Sequence, residues 1–148
     1  MSHSTQKKTV FVSGAIAPEF IADSIAKHQS KTNIGAHQIF LGQVRADVLD
    51  GQTVAAIDYS VYEPMAEQIL AEIREQAFAQ FDLTCMHIYH SLGTVKAGEI
   101  CLFVFVSSQH RKASADALCF LVETIKAKVP IFGKEIFENG THTWKKNI

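Results

Sequence analysis

Seven consecutive apolar residues, Ile100–Val106 (Ile-Cys-Leu-Phe-Val-Phe-Val), leave this chain few ways to fold. A strand with one wet face alternates apolar and polar residues, whereas an unbroken run bounded by Gly98-Glu99 and Ser107-Ser108 reads as a central strand covered on both faces. Seven residues fall far short of the roughly 20 needed to cross a bilayer. The chain must therefore supply layers for two sides of a sheet. Its 148 residues, 47% hydrophobic and 20% charged, suffice for one such domain over 1–148 and are cramped for two.

The flanking pattern supplies those layers. Thr9–Ser13 reads as a short strand. Pro18 suits the first turn of a helix to about Gln29, with Phe20, Ile21, Ile25 and His28 on its inner side. Gly35–Val44 and Thr53–Val61 read as strands of a hairpin around the turn signal Asp50-Gly51. Pro64 opens a second helix to about Phe81, with Met65, Ile69, Ile73 and Ala77 as its buried stripe. Leu83–Leu92 and Glu99–Ser107 read as two strands. A third helix runs from His110 to about Lys128, with Ser107 and Ser108 as candidate caps and Pro130 as its stop. Ile131–Phe137 reads as an edge strand and Asn139-Gly140 as a turn before Trp144, whose type usually belongs to a core. Hairpins between helices predict an α+β fold, a mostly antiparallel sheet with helices packed on it, behind a flexible tail at 1–8.

Fourteen Lys/Arg against fifteen Asp/Glu give a net charge of −1, which disfavours a general nucleic-acid binder. The charge is uneven: residues 1–110 carry −4 and residues 111–148 carry +3, so an anion would be drawn to the C-terminal quarter. No secretory h-region or membrane span is visible, which predicts a soluble, cytoplasmic protein. Cys85, Cys101 and Cys119 sit in apolar contexts and read as small buried hydrophobes. His87 and His90, three apart on a strand, face opposite sides, and no metal-binding, Walker, Rossmann or nucleophile-elbow signature occurs; neither a metal nor a cofactor is expected.

Four polar islands remain. Arg45 ends a strand in Gly42-Gln43-Val44-Arg45, where its planar fork can hold a phosphate or carboxylate, or simply face solvent. Ser107-Ser108-Gln109-His110-Arg111 joins a strand to a helix start, whose free N–H groups attract anions; His110 is equally readable as a packing histidine. Lys126 and Lys128 lie at the helix end, where they meet the dipole. Lys126 also follows Val122 and Cys119 on one helical side, so partial desolvation would make it a base or nucleophile. The last island is Lys134-Glu135 with Trp144-Lys145-Lys146. Arg111 and Lys126 are 15 residues apart, roughly 22 Å on one helix. Both can serve one small substrate only if the helix bends or a second copy brings its own Arg111 alongside, and a symmetric dimer is the simpler arrangement.

The islands occur in an order that resembles the large, catalytic subunit family of molybdopterin synthase. The matching pieces are Phe40-Leu41-Gly42-Gln43-Val44-Arg45, Tyr62-Glu63-Pro64-Met65-Ala66, His90-Ser91-Leu92-Gly93, Gly98-Glu99, Ser107 to Arg111, Ile125-Lys126, Val129 to Glu135, and Trp144. The resemblance implies an α/β hammerhead-like fold and a homodimer at the centre of a heterotetramer with two small ubiquitin-like sulfur carriers ending in Gly-Gly. It implies a sulfurtransferase that passes two sulfurs from the carrier's thiocarboxylate to cyclic pyranopterin monophosphate, giving molybdopterin. It marks Lys126 as the essential lysine, Phe40 and Arg45 as pocket residues, and His110 and Arg111 as residues reaching substrate from the neighbouring subunit.

Two positions depart from the family pattern. Gly133 stands where many members carry a second pocket lysine, with Lys134 one residue later as the candidate second catalytic lysine. The pocket arginine often found beyond the Trp has only Lys145 or Lys146 as a counterpart. The rival reading is a non-catalytic oligomeric module that binds the carrier without doing chemistry.

Overall fold

The computed structural model describes residues 10–145, so the tail expected at 1–8 lies outside the described residues. The elements run β1 (Phe11–Ser13), α1 (Pro18–His28), β2 (Ala36–Gln43), β3 (Val48–Leu49), β4 (Gln52–Val61), α2 (Glu63–Gln80), β5 (Cys85–Lys96), β6 (Ile100–Ser108), α3 (Arg111–Lys128), β7 (Ile131–Phe137) and β8 (His142–Trp144). The fold is α+β, as expected: three helices on an eight-stranded sheet ordered β2-β6-β5-β4-β7-β8. Pairing is antiparallel except where β1 joins β5, and the two-residue β3 pairs with β4 off the main path. No helix among the described residues is long and apolar enough to cross a membrane.

The apolar run sits where its composition puts it, as β6 between β2 and β5 with Cys101–Val106 all buried. Its alternate side chains serve two cores. Leu102, Val104 and Val106 face a large cluster with Leu70, Ile73 and Ala77 of α2 and Ala117, Leu121 and Ile125 of α3. Phe103 and Phe105 face a smaller cluster with Ile16 and Ile21 on the α1 side. At about 25 cal/mol per Å² of apolar surface removed from water, those fully buried side chains dominate the stability of the fold.

The predicted hairpin of Gly35–Val44 with Thr53–Val61 does not form. β2 pairs with β6, Phe40 opposite Val104, because a fully apolar central strand needs a partner on each edge. The Asp50-Gly51 turn closes only β3 on β4, with both residues at positive φ, 50° and 78°, as a tight hairpin turn requires. β4 instead lies between β5 and β7, and β7 pairs with β8 on its far side, so β7 is not the sheet edge. The stripe on α2 is Ala66, Leu70, Ile73 and Ala77 rather than one starting at Met65, which is exposed. A strict four-residue spacing drifts about 40° per step around a 3.6-residue helix, so Met65 and Ile73 do not share one face. Phe20 and Trp144 are exposed, and Cys119 is a surface thiol, unlike the buried Cys85 and Cys101.

Candidate active site

A cleft of about 510 Å³ opens at the C-terminal end of α3. Its walls come from the end of β2 (Gly42–Arg45), the α3–β7 junction (Ile125–Gly133) and the end of β8 (Trp144, Lys145), over a floor that includes Tyr59, His90 and Cys101. Arg45, Lys126, Lys128 and Lys145 give it four cations, all near a helix C-terminus whose free carbonyls favour positive charge.

Arg45 and Lys126 are each placed by their buried neighbours. Val44 is buried and exchanges backbone hydrogen bonds with Glu99 and Gly98 (3.0 and 2.8 Å), which projects Arg45 outward. The Arg45 guanidinium donates twice to Asp47, at 3.0 and 3.1 Å. That pairing holds the Asp47 carboxyl below its ordinary range. The Arg45 side chain is 72% exposed, so the pair contributes little to stability and can be exchanged for a ligand anion. Ile125 and Val129 bury themselves on either side of Lys126, and the Val129 N–H donates to Ile125 before Pro130 ends the turn. Lys126 itself is exposed in the single chain, so the desolvation expected from its Val122–Cys119 side is absent there.

The floor carries polar groups that are buried or half-buried. His90 is buried, and its Nδ1–H donates to the Ser91 carbonyl at 2.8 Å, leaving the Nε2 lone pair as acceptor. Burial, aided by the Lys126 charge and opposed by that hydrogen bond, pushes the imidazole down to about 4, so it is neutral at neutral pH. Tyr59 packs edge-on against it at 5.0 Å. Its hydroxyl is raised far above the usual phenol range by burial first, then by Cys101 and Glu135, and stays protonated. The cleft thus combines cations for an anionic group, a primary amine, a neutral acceptor and a neutral donor.

The predicted residues divide between two places. Arg45 and Lys126 share the cleft. His110 and Arg111 line a separate depression of about 750 Å³ at the other end of α3, with Gly35, Gln38 and Gln109. Helix α3 runs unbroken from Arg111 to Lys128, so the separation of roughly 22 Å stands. His110 is the N-cap and makes no side-chain cap bond. Ser108 acts from further back, its Oγ accepting from the Ser114 N–H (3.1 Å) and donating to the His110 carbonyl (2.6 Å). Ser107 instead bonds His37. Phe40 is half-buried against the main core beside Gly42 and does not line the cleft.

Lys134 does not line the cleft either; Gly133 does. Neighbouring strand residues point to opposite faces, and the alternate position, Glu135, is the one buried near Arg45 and Tyr59. A Cβ at position 133 would press on Ile57 (3.1 Å) and stand 3.7 Å from the Lys145 Cβ. The Lys145 N–H also donates to the Gly133 carbonyl at 2.7 Å, so Lys145 occupies the space beside the glycine; Lys146 lies outside the described residues. Sequence reasoning did not single out His90, Tyr59 or Cys101 as cleft residues. Their only signal was alternation on three strands whose order in the sheet was unknown.

The family model described as "MoaE protein" matches residues 16–128. The molybdopterin synthase catalytic subunit of Bacillus subtilis (strain 168) is 37% identical over 118 residues, 80% of this chain and 74% of the relative. The Rattus norvegicus protein of that name is 36% identical over 113 residues, 76% of this chain. This chain spans 56% of the length of the rat relative and 32% of that from Drosophila grimshawi. The X-ray crystal structure of molybdopterin synthase from Staphylococcus aureus has a TM-score of 0.79 at 30% identity, covering 95% of this chain and 98% of that one. A complex of subunits 1 and 2 of molybdopterin-converting factor from Helicobacter pylori 26695 shares the fold, with a TM-score of 0.78 at 20% identity over 92% of this chain and 88% of that one. With a family match over 113 of its residues and relatives of this closeness, the chain belongs to the MoaE family, the family of molybdopterin synthase catalytic subunits.

Proposed function

We propose that this chain is the catalytic subunit of a molybdopterin synthase. It takes sulfur from the thiocarboxylated Gly-Gly end of a small ubiquitin-like carrier and passes two sulfurs to cyclic pyranopterin monophosphate. The observation that carries the reading is the placing of Lys126 and Arg45 in one cationic cleft of a MoaE-family chain. A phosphorylated substrate needs a cationic seat, which Arg45, Lys128 and Lys145 supply. Lys126 stands over the neutral His90–Tyr59 pair as the proton donor or base for sulfur transfer, with transient covalent attachment to the carrier tail as the form a trapped intermediate would reveal. Lys134 takes no part; Lys145 is the lysine beside Gly133 that stands in for a side chain at position 133.

The active unit in this reading is a homodimer carrying two carriers. Among the described residues β2 is an outer strand of the sheet, with α3 packed along it. The Lys126 cleft lies at one end of this β2–α3 edge and the Arg111 depression at the other. A two-fold contact along the edge sets each end against the opposite end of its mate, bringing the partner's His110 and the partner's Arg111 to Lys126. It would also desolvate Lys126, which the single chain leaves exposed. The two-subunit complex of the Helicobacter pylori protein of this fold supports a carrier partner, and a cytoplasmic setting belongs to the same reading.

The test is incubation with cyclic pyranopterin monophosphate and a thiocarboxylated carrier, followed by assay for molybdopterin. Wild type forms product. Lys126→Ala forms none while still folding and binding carrier; normal turnover by that variant would remove Lys126 from the mechanism. The rival, a carrier-binding module disabled at Gly133, predicts carrier binding without product from the wild-type chain.

A further inference from the structure

Across the sheet from the cleft lies a cluster that the proposed reaction does not use. His28, from the last turn of α1, and Cys85 and His87, from the start of β5, bring one ligand atom each to within 4.8 Å of one another. His28 and Cys85 are buried and His87 is half-buried. Sequence reading had paired His87 with His90 and found them on opposite faces. The true neighbour of His87 is 59 residues away, on a helix that only the fold brings over the strand.

The two histidines meet Nε2 to Nε2 at 3.0 Å. The His28 Nδ1 lies 2.7 Å from the Ser24 carbonyl, which can only accept, so Nδ1 carries a hydrogen and Nε2 is the ring nitrogen turned toward the cluster. A backbone carbonyl fixing a histidine tautomer in this way is the usual support of a metal ligand. The exposed Lys31 donates to the Cys85 Sγ at 3.0 Å, which turns the sulfur toward the solvent-facing side of the cluster. Around a tetrahedral ion with Zn–N near 2.05 Å and Zn–S near 2.3 Å, ligand atoms stand roughly 3.3–3.6 Å apart. The histidine pair, at 3.0 Å, opens by about 0.3 Å to reach that spacing, and Cys85 closes the remainder with about 1 Å of side-chain movement.

We infer that His28, Cys85 and His87 form a His₂Cys site for a borderline divalent transition-metal ion, zinc in the first instance, with a fourth position open to water. Two imidazoles and a thiolate select such an ion over magnesium or calcium, which take oxygen ligands. Binding is balanced in protons. From the thiol form, Cys85 releases one proton to solvent, and the hydrogen shared on the His87 Nε2 moves to Nδ1 as both Nε2 lone pairs turn to the metal. Half-exposed His87 and exposed Lys31 leave the ion a route in from solvent. The site ties α1 to β5 and stands apart from the Lys126 cleft, so it neither needs nor tests the sulfur-transfer reading.

The experiment is titration of the purified full chain, reduced and metal-free, with Co²⁺ as optical probe and then with Zn²⁺ against a chromophoric chelator. The expected result is one Co²⁺ per chain with a thiolate-to-cobalt charge-transfer band that Zn²⁺ abolishes and Mg²⁺ does not. Cys85→Ser should remove the band and lower zinc affinity at least about tenfold, His87→Gln should lower it similarly, and Cys119→Ser should change neither. Circular dichroism checks that each variant folds, and His87→Gln, at a half-exposed position, decides the matter if Cys85→Ser does not. A cobalt spectrum without the charge-transfer band, or zinc affinity unchanged in His87→Gln, overturns the site.

Discussion

Acidification should cost this protein stability through one side chain, His90. Its imidazole is pushed down to about 4 in the fold against 6.5 when free, chiefly by burial. Between those values the unfolded chain holds a proton that the folded chain does not, so unfolding takes up a proton and stability rises with pH. The contribution is fully present above pH 6.5 and is lost as pH falls toward 4. At 1.36 kcal/mol per pH unit the whole gap amounts to about 3 kcal/mol, of which about 2 kcal/mol disappears between pH 7 and pH 4.5. His37 is shifted in the same direction by desolvation and by His28, so wild type alone cannot isolate His90. His90→Gln can, because it keeps a donor for the Ser91 carbonyl and removes the titration. Urea unfolding followed by circular dichroism at pH 7, 5.5 and 4.5 is the assay, since Trp144 is 59% exposed and a poor reporter of folding. Wild type should lose about 2 kcal/mol more than His90→Gln over that range. Parallel losses in the two proteins would show that His90 is not held neutral by the fold.

Three further substitutions have defined outcomes. Gly35→Ala would drive a Cβ into the Gln109 carbonyl beside the start of α3, and should cost about 1–3 kcal/mol in urea unfolding while disturbing His110 and Arg111. Leu121→Ala empties a fully buried position between α3 and β6 and should cost about 2–5 kcal/mol by the same measurement. Arg45→Ala removes an exposed ion pair, so stability should move by less than about 0.5 kcal/mol while affinity for cyclic pyranopterin monophosphate, read by calorimetry, falls about tenfold or more.

What could be read from the sequence followed local physics. The apolar run announced a strand covered twice, Pro18, Pro64 and Pro130 marked helix limits, and Arg45 and Lys126 stood out as cations at element ends. Strand pairing was not local, and there the reading failed. The Asp50-Gly51 turn was visible, but nothing nearby said that β2 would leave it for β6, 60 or so residues on. Lys134 and Gly133 differ by one position, and which of them faces the cleft follows from the register of β7 on β4, a property of two strands rather than one. His90 gave no functional signal because its neutrality comes from burial under other elements. Cys85 was read as a small buried hydrophobe; it is buried, but with a histidine from 57 residues earlier beside it.

Mixing two inactive variants tests directly whether one substrate site is built from two chains. Lys126→Ala damages the cleft at one end of α3 and Arg111→Ala the depression at the other, so each homodimer should lack both of its sites. After subunit exchange about half the dimers carry one chain of each kind, and in a two-fold dimer each of these holds one intact site. Molybdopterin formation should recover to about a quarter of the wild-type rate. Exchange verified by mass spectrometry with no recovery of product would contradict a site shared between Lys126 and the partner's Arg111.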